Sequence, residues 1–315
     1  MKIKSYFVHG VLMLSATSML CTACSDDDPI VQDENVPQEE VKPEKPEDPE
    51  KPEDKPDASK DWMDKVHEIY DNASIEPQEV TTVNQLAILT SLCAAEDHEE
   101  GPISVTNATL NNEAITLITL GGTEEVEGQA TTMKESQLAS FGKPNDYLAA
   151  VRKLFDDGVV SPEKPVVITG ISLGGMIAQQ MISQEDILSS FKIHAIITFG
   201  SPITLPLDRK GIKVVRFEDV NDKVPRAGEL LLRTGMVTGG MSKEKLQKTL
   251  DELDRTEKIA RTSKYTGMLE THALSYVEDA CWSETDFLGD PEKKNVLVLK
   301  ETMRFFPAPK RAEEK

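Results

Sequence analysis

Long apolar runs are scarce in this sequence, and their scarcity sets the first limits. One run, Tyr6 to Leu20, is interrupted by His9 and Gly10 and falls short of the roughly 20 residues that a bilayer-spanning helix needs. No other stretch points to a membrane span or a repeat array. Positive charge is also short: 35 Lys and Arg face 55 Asp and Glu, a net charge of −20. A phosphate backbone would be repelled by such a chain, so nucleic acid is not expected as a partner. Only five His and four Cys are present, none at metal-ligand spacing, so neither a metal nor another cofactor is expected. Aromatic residues make up 5%, with two Trp. What remains is 38% hydrophobic content in 315 residues, enough for one substantial core carrying extensions.

The extensions come first. Lys2 and Lys4, the interrupted apolar run and Cys21-Thr22-Ala23-Cys24 read as an export signal over residues 1–23. Small residues before Cys24 resemble a bacterial lipoprotein lipobox, although Cys21 stands where Leu or Val is usual. The resemblance implies a lipidated Cys24 as the mature N-terminus and a membrane contact through that lipid. Ser25-Asp26-Asp27-Asp28 resembles the acidic tag of surface lipoproteins of the Bacteroides group, implying an outer-membrane protein facing the outside. Residues 24–60 then form a spacer in which Pro43, Pro46, Pro49, Pro52 and Pro56 recur among Glu, Asp and Lys. Such a composition favours polyproline II at about 3.1 Å per residue, so residues 42–57 could span roughly 50 Å.

The folded domain is expected over residues 61–315. Helical spacing marks 61–71 and Val83 to Glu96; β-rich runs Ile103 to Leu110 and Ala114 to Leu120 flank Asn111-Asn112-Glu113 as a hairpin. A polar stretch from Glu124 to Asn145 precedes a helix over Tyr147 to Phe155. Strand Val166 to Gly170, helix Leu173 to Ile182, strand Ile193 to Phe199 and strand Lys213 to Phe217 follow. That alternation predicts an α/β fold, a mostly parallel sheet with helices on its faces. Residues 242–260 read as a charged helix with Leu246, Leu250 and Leu253 along one narrow face.

Within this order lies Gly170-Ile171-Ser172-Leu173-Gly174-Gly175, a Gly-x-Ser-x-Gly between a strand and a helix. Such a turn exposes a serine oxygen, and its glycines let strand and helix approach a strained backbone. By itself the pattern is weak, and Ser172 could be a plain turn serine. A nucleophilic serine needs a base, and the base needs an acid to orient it. Asp222 follows the strand ending at Phe217, and His272 lies in a later loop; both could reach the C-terminal edge of the sheet, where α/β sites lie. Asp219 is an alternative acid. The other histidines, His9, His67, His98 and His194, carry no motif.

Four segments in this order resemble the class 3, fungal-type triacylglycerol lipase family of α/β hydrolases over about residues 84–280. They are the serine motif, Thr198-Phe199-Gly200-Ser201-Pro202, Asn221-Asp222-Lys223-Val224-Pro225-Arg226 and His272-Ala273-Leu274-Ser275-Tyr276. The resemblance implies an α/β-hydrolase fold, Ser172 as nucleophile, His272 as base and then acid, and Asp222 as orienting acid. It further implies hydrolysis of a carboxylic ester, with a glyceride or similar lipid as substrate. Ile171 replaces the family's histidine before the serine. Gly121-Gly122-Thr123 stands where the family carries Arg-Gly-Thr or Arg-Gly-Ser, so Thr123 and the Leu173 backbone N–H are the oxyanion-hole candidates. A phospholipase or short-chain esterase is the neighbouring reading, and a non-catalytic binding lipoprotein the reading from another class.

Cys93 and Cys281 are the remaining cysteines. Their placement resembles a disulfide of fungal family members, and an exported protein matures under oxidising conditions. A bridge between them is therefore expected.

Overall fold

A computed structural model describes residues 58–94, 101–124, 126–204, 209–233 and 242–311. The expected signal, the expected lipidation site Cys24 and nearly all of the expected spacer lie outside these residues, as do His98 and the end of the helix expected to reach Glu96. Among the described residues no helix is long and apolar enough to cross a membrane.

Strands β1 (Glu79–Val80), β2 (Ile103–Leu110), β3 (Glu113–Leu120), β4 (Val166–Ile171), β5 (Ile193–Phe199), β6 (Lys213–Asp219), β7 (Glu257–Arg261), β8 (Leu297–Leu299) and β9 (Arg304–Phe306) form one sheet. Its order is β1-β8-β2-β3-β4-β5-β6-β7, with β9 also paired to β2. From β3 to β7 all neighbours are parallel. The hairpin between β2 and β3 closes through Asn111 and Asn112, both at positive φ (51° and 70°). A two-residue turn that follows the twist of the strands demands that backbone, and asparagine tolerates it better than most residues.

Alternate residues of the parallel strands feed two cores. Leu117, Val167, Ile171, Ile197, Phe199, Val215 and Phe217 pack against α1 (Ala58–Asp71), α2 (Val83–Ser91) and α9 (Met268–Glu278). On the opposite face Ile118, Leu120, Ile168, Ile196 and Val214 meet α3 (Met133–Ser140), α4 (Asp146–Asp156), α5 (Leu173–Met181) and α6 (Glu185–Ser190). The α4 stripe shows the logic. Asn145 caps its N-terminus by accepting the Leu148 N–H, and Tyr147, Leu148, Val151, Leu154 and Phe155 are buried on one side.

Three expectations change. The helix foreseen over 242–260 is α8 (Lys243–Asp254), and the chain then turns at Arg255 and Thr256 into β7. The open edge of β6 offers unpaired backbone groups, which a charged edge strand can satisfy. His272 stands in α9, not in a loop. The Cys93–Cys281 bridge is not formed: both thiols are free. Cys93 Sγ lies 2.8 Å from Thr119 Oγ1 on β3, and burial pushes this thiol up to about 11, while Cys281 is half-buried in a short turn after α9. After α9 the chain returns to add β8 and β9 beside β2, and three-residue strands are too short to leave a periodic signature. Between β6 and α8 lies α7 (Val224–Arg233), which begins two residues after Asp222.

Candidate active site

Strand β4 is buried along its whole length and delivers Ser172 at its C-terminal edge with φ 51° and ψ −119°. A residue bearing a β-carbon rarely adopts that backbone. The neighbours make room for it. A β-carbon at Gly170 would lie 2.4 Å from the Gly174 carbonyl carbon, and one at Gly174 would lie 2.1 Å from the Leu120 oxygen. The Ser172 N–H donates to the Phe199 carbonyl at 3.0 Å, tying the elbow to β5. Leu173 opens α5, where its N–H has no acceptor within the helix.

The segment Gly121-Gly122-Thr123 runs beside the serine: a β-carbon at Gly122 would lie 3.4 Å from Ser172 Cβ. Tyr147 braces this segment by donating to the carbonyls of Pro102 and Gly121 at 2.9 and 3.2 Å. Thr123 is buried, and its Oγ1 lies 2.9 Å from Ser136 Oγ at the start of α3.

Asp222 and His272 meet at the same edge. His272 Nδ1 lies 2.8 Å from Asp222 Oδ2, which also accepts the Tyr276 hydroxyl at 2.9 Å. Asp222 Oδ1 accepts the Val224 N–H at 2.9 Å. The carboxylate is fully buried, and these three donors compensate its loss of water. Burial first, and then the Asp222 charge, push the Tyr276 phenol well above its ordinary value, so it stays protonated and donates. Asp219, the other acid foreseen, does not touch the histidine. Its side chain accepts Ser275 Oγ and the Asn221 N–H, and its own N–H donates to the Tyr276 oxygen at 3.0 Å.

Gly200 joins the two halves of the site. It sits at φ 54°, directly after Phe199, and a β-carbon there would lie 2.8 Å from Tyr276 Cε2, 2.9 Å from Asp222 Oδ2 and 3.1 Å from His272 Cε1. Ser172 and His272 are each 6% exposed. No hydrogen bond joins Ser172 Oγ to the imidazole, a bond that often closes only around substrate.

Gly200, Ser201 and Tyr276 stand within the sequence motifs but carry no role legible there, and Ser136 belongs to no motif. A helix over 268–278 was the missing signal for Tyr276, since residues four apart share a helix face. His67 lies on α1 and His194 on β5, neither in this site. Among the described residues no group of three His, Cys, Asp or Glu is gathered that could hold a metal ion.

A family model described as a PGAP1-like alpha/beta domain matches residues 126–278. No curated protein matches the chain. Among solved structures, an esterase/lipase from an uncultured bacterium is 11% identical, with 64% of this chain and 87% of that chain covered at a TM-score of 0.26. The EstE5-PMSF structure is 14% identical over the same shares, also at 0.26. At that TM-score neither bears on this chain; the helix-covered, mostly parallel sheet and the match to the PGAP1-like model give the α/β-hydrolase fold.

Proposed function

We propose that this α/β-hydrolase domain is a serine hydrolase of carboxylic esters, with Ser172, His272 and Asp222 as its triad. The observation that carries the reading is the 2.8 Å contact between His272 Nδ1 and a buried Asp222 at the edge that also holds the strained serine. His272 donates through Nδ1 to Asp222, which leaves Nε2 free to accept the Ser172 proton as Oγ attacks the ester carbonyl. The N–H of Leu173 and Thr123 receive the oxyanion. Collapse expels the alcohol, protonated by His272, and leaves an acyl-serine. Water activated by the same imidazole then releases the acid and restores the serine.

The finer reading is a lipase of the class 3 type acting on glycerides or similar lipids. It rests on the four ordered motifs, and a neutral ester suits a protein of net charge −20 better than an anionic lipid surface does. We further propose that Cys24 carries a lipid anchor and that the acidic, proline-spaced stalk holds the hydrolase away from an outer membrane, facing outward.

The test is labelling by a fluorophosphonate probe, followed by turnover of p-nitrophenyl esters of graded acyl length. Wild type labels and turns over, whereas Ser172→Ala and His272→Ala lose about 1000-fold or more in kcat. An unlabelled, folded wild type would identify a binding protein instead, and a preference for the shortest acyl chains would replace the lipase by an esterase. For the anchor, Cys24→Ala is expected to leave the membrane fraction, and unchanged partition refutes the lipid.

A further inference from the structure

We infer that Ser201 is a positioning residue for the oxyanion hole, acting through the peptide bond between Ser172 and Leu173. This rests on the serine-hydrolase reading proposed above. The carbonyl of Ser172 and the N–H of Leu173 belong to one planar peptide unit, so whatever holds the carbonyl aims the N–H. That carbonyl receives three donors: Ser201 Oγ at 2.9 Å, the Gly175 N–H at 3.1 Å and the Met176 N–H at 3.3 Å. The latter two come from α5 itself. Ser201 reaches across from the turn after β5 and is the donor that no helix would supply.

Distance favours this bond for the Ser201 hydroxyl. Its single hydrogen has two acceptors within reach, the Ser172 carbonyl at 2.9 Å and the Pro202 carbonyl at 3.2 Å, and the nearer one belongs to the elbow; the Pro202 oxygen is also supplied by Gln179 Nε2 at 3.0 Å. Gln179 Nε2 also lies 3.4 Å from Ser201 Oγ, on the accepting side of the hydroxyl. Ser201 and Gln179 are both 2% exposed, so water does not compete. Gly175 completes the arrangement: a β-carbon there would lie 2.6 Å from both Cβ and Oγ of Ser201. The second glycine of Gly174-Gly175 therefore has its own reason, since a side chain would push Ser201 off the carbonyl.

Two effects follow at Leu173. The peptide plane is fixed while Ser172 keeps φ 51° and ψ −119°, a backbone that its own torsional preference does not hold. A donor on the carbonyl also polarises the peptide and strengthens its N–H as a donor, because hydrogen bonds in a chain reinforce one another at low dielectric. Ser201 touches neither substrate nor the reacting atoms, so it tunes the oxyanion hole from behind.

The experiment compares Ser201→Ala with wild type by kcat, KM and the inhibition constant of a trifluoromethyl ketone, whose adduct with the serine carries the oxyanion. Alanine keeps the β-carbon that packs on Gly175 and removes only the hydroxyl. Expected are a kcat lower by about tenfold, less than the loss of a direct oxyanion donor, an unchanged KM, and a ketone affinity weakened by the same factor. A variant within twofold of wild type in both readouts overturns the inference. So does a fall in kcat with unchanged ketone affinity, which would mark a purely structural serine. If Ser201→Ala does not fold, Ser201→Cys places a weaker donor at the same position and is expected to lose ketone affinity severalfold; unchanged affinity there is equally fatal. Fluorophosphonate labelling of wild type separates the two levels: an unlabelled wild type ends the hydrolase reading, whereas a labelled wild type with an indifferent Ser201→Ala ends this inference alone.

Discussion

The Tyr276 hydroxyl donates to Asp222 Oδ2, 2.9 Å away, on the same oxygen that takes His272 Nδ1. That hydroxyl in turn accepts the Asp219 N–H at 3.0 Å, so one phenol ties the acid of the site to the end of β6. Tyr276 is held there by packing: its ring stacks on Trp282 at 5.7 Å and tilts against Phe199 at 6.3 Å. Tyr276→Phe keeps those ring contacts but strands a buried N–H and removes one of three donors from a buried carboxylate. A loss of about 1 to 3 kcal/mol in stability is expected, with kcat down between about 3- and 30-fold because the Asp222–His272 contact survives in a looser form. Urea unfolding and ester turnover check the two parts separately.

The two aspartates should divide cleanly. Asp222→Asn is expected to cost about 10⁴ in kcat, since an amide in that place favours the wrong imidazole tautomer. Asp219→Asn removes a charge that holds Ser275 and the Asn221 N–H, so it should cost about 1 to 2 kcal/mol in stability and leave kcat within about tenfold. The reverse pattern in kinetics would assign the acid to Asp219.

Gly200→Ala tests the join between elbow and acid. The new methyl would collide with Tyr276, Asp222 and His272, on a backbone at φ 54°. Relieving these contacts moves the Tyr276 ring or the Asp222 carboxylate first, and either shift disturbs the bond to His272. We expect a destabilisation of about 2 to 4 kcal/mol and loss of most turnover, whereas alanine at Gly158, also at positive φ but with open space around it, should cost about 1 kcal/mol and no activity. Melting curves and turnover of the two variants decide it.

Glu229 on α7 predicts an acid-sensitive contact. Burial by itself would raise its carboxyl, but hydrogen bonds from Arg233 and Lys258 and the charge of Arg216 outweigh it and hold the group at about 2 against an ordinary 4.5. A carboxyl whose pKa falls on folding contributes stability that is complete above its unfolded value and is lost as pH drops through the folded one. The contribution therefore fades between about pH 4.5 and 2. The side chain is 16% exposed, and allowing for solvent screening we expect about 1 to 2 kcal/mol. Glu229→Gln should lose this at neutral pH and flatten the stability profile in that window. Denaturant titrations at pH 7 and pH 3 measure it.

Sequence order and local chemistry by themselves determined the parallel core from Val166 to Phe217, because β-branched runs alternate there with a helix-forming segment. The turn at Asn111-Asn112 and the strained serine were legible too, since each depends on residues adjacent in the chain. The preference for Asp222 over Asp219 came from the motif around Asp222 and not from local chemistry. Three residues apart at the end of one strand, they differ only in what folds back onto them, and it is α9 that brings His272 to one and Ser275 to the other. Strand β7 took residues expected to be helical because the edge of β6 stood open, and β8 and β9 are defined by their pairing with β2 rather than by any pattern of their own. The cysteine pair failed for the same reason: proximity in the fold decides a bridge, and Cys93 turns to Thr119 on β3. The roles of Gly200, Ser201 and Tyr276 belong to tertiary structure alone, because each acts through a partner at least 22 residues distant in sequence. Periodicity and turn chemistry report on neighbours along the chain, whereas a buried carboxylate or carbonyl is satisfied by whichever donor the packing brings to it.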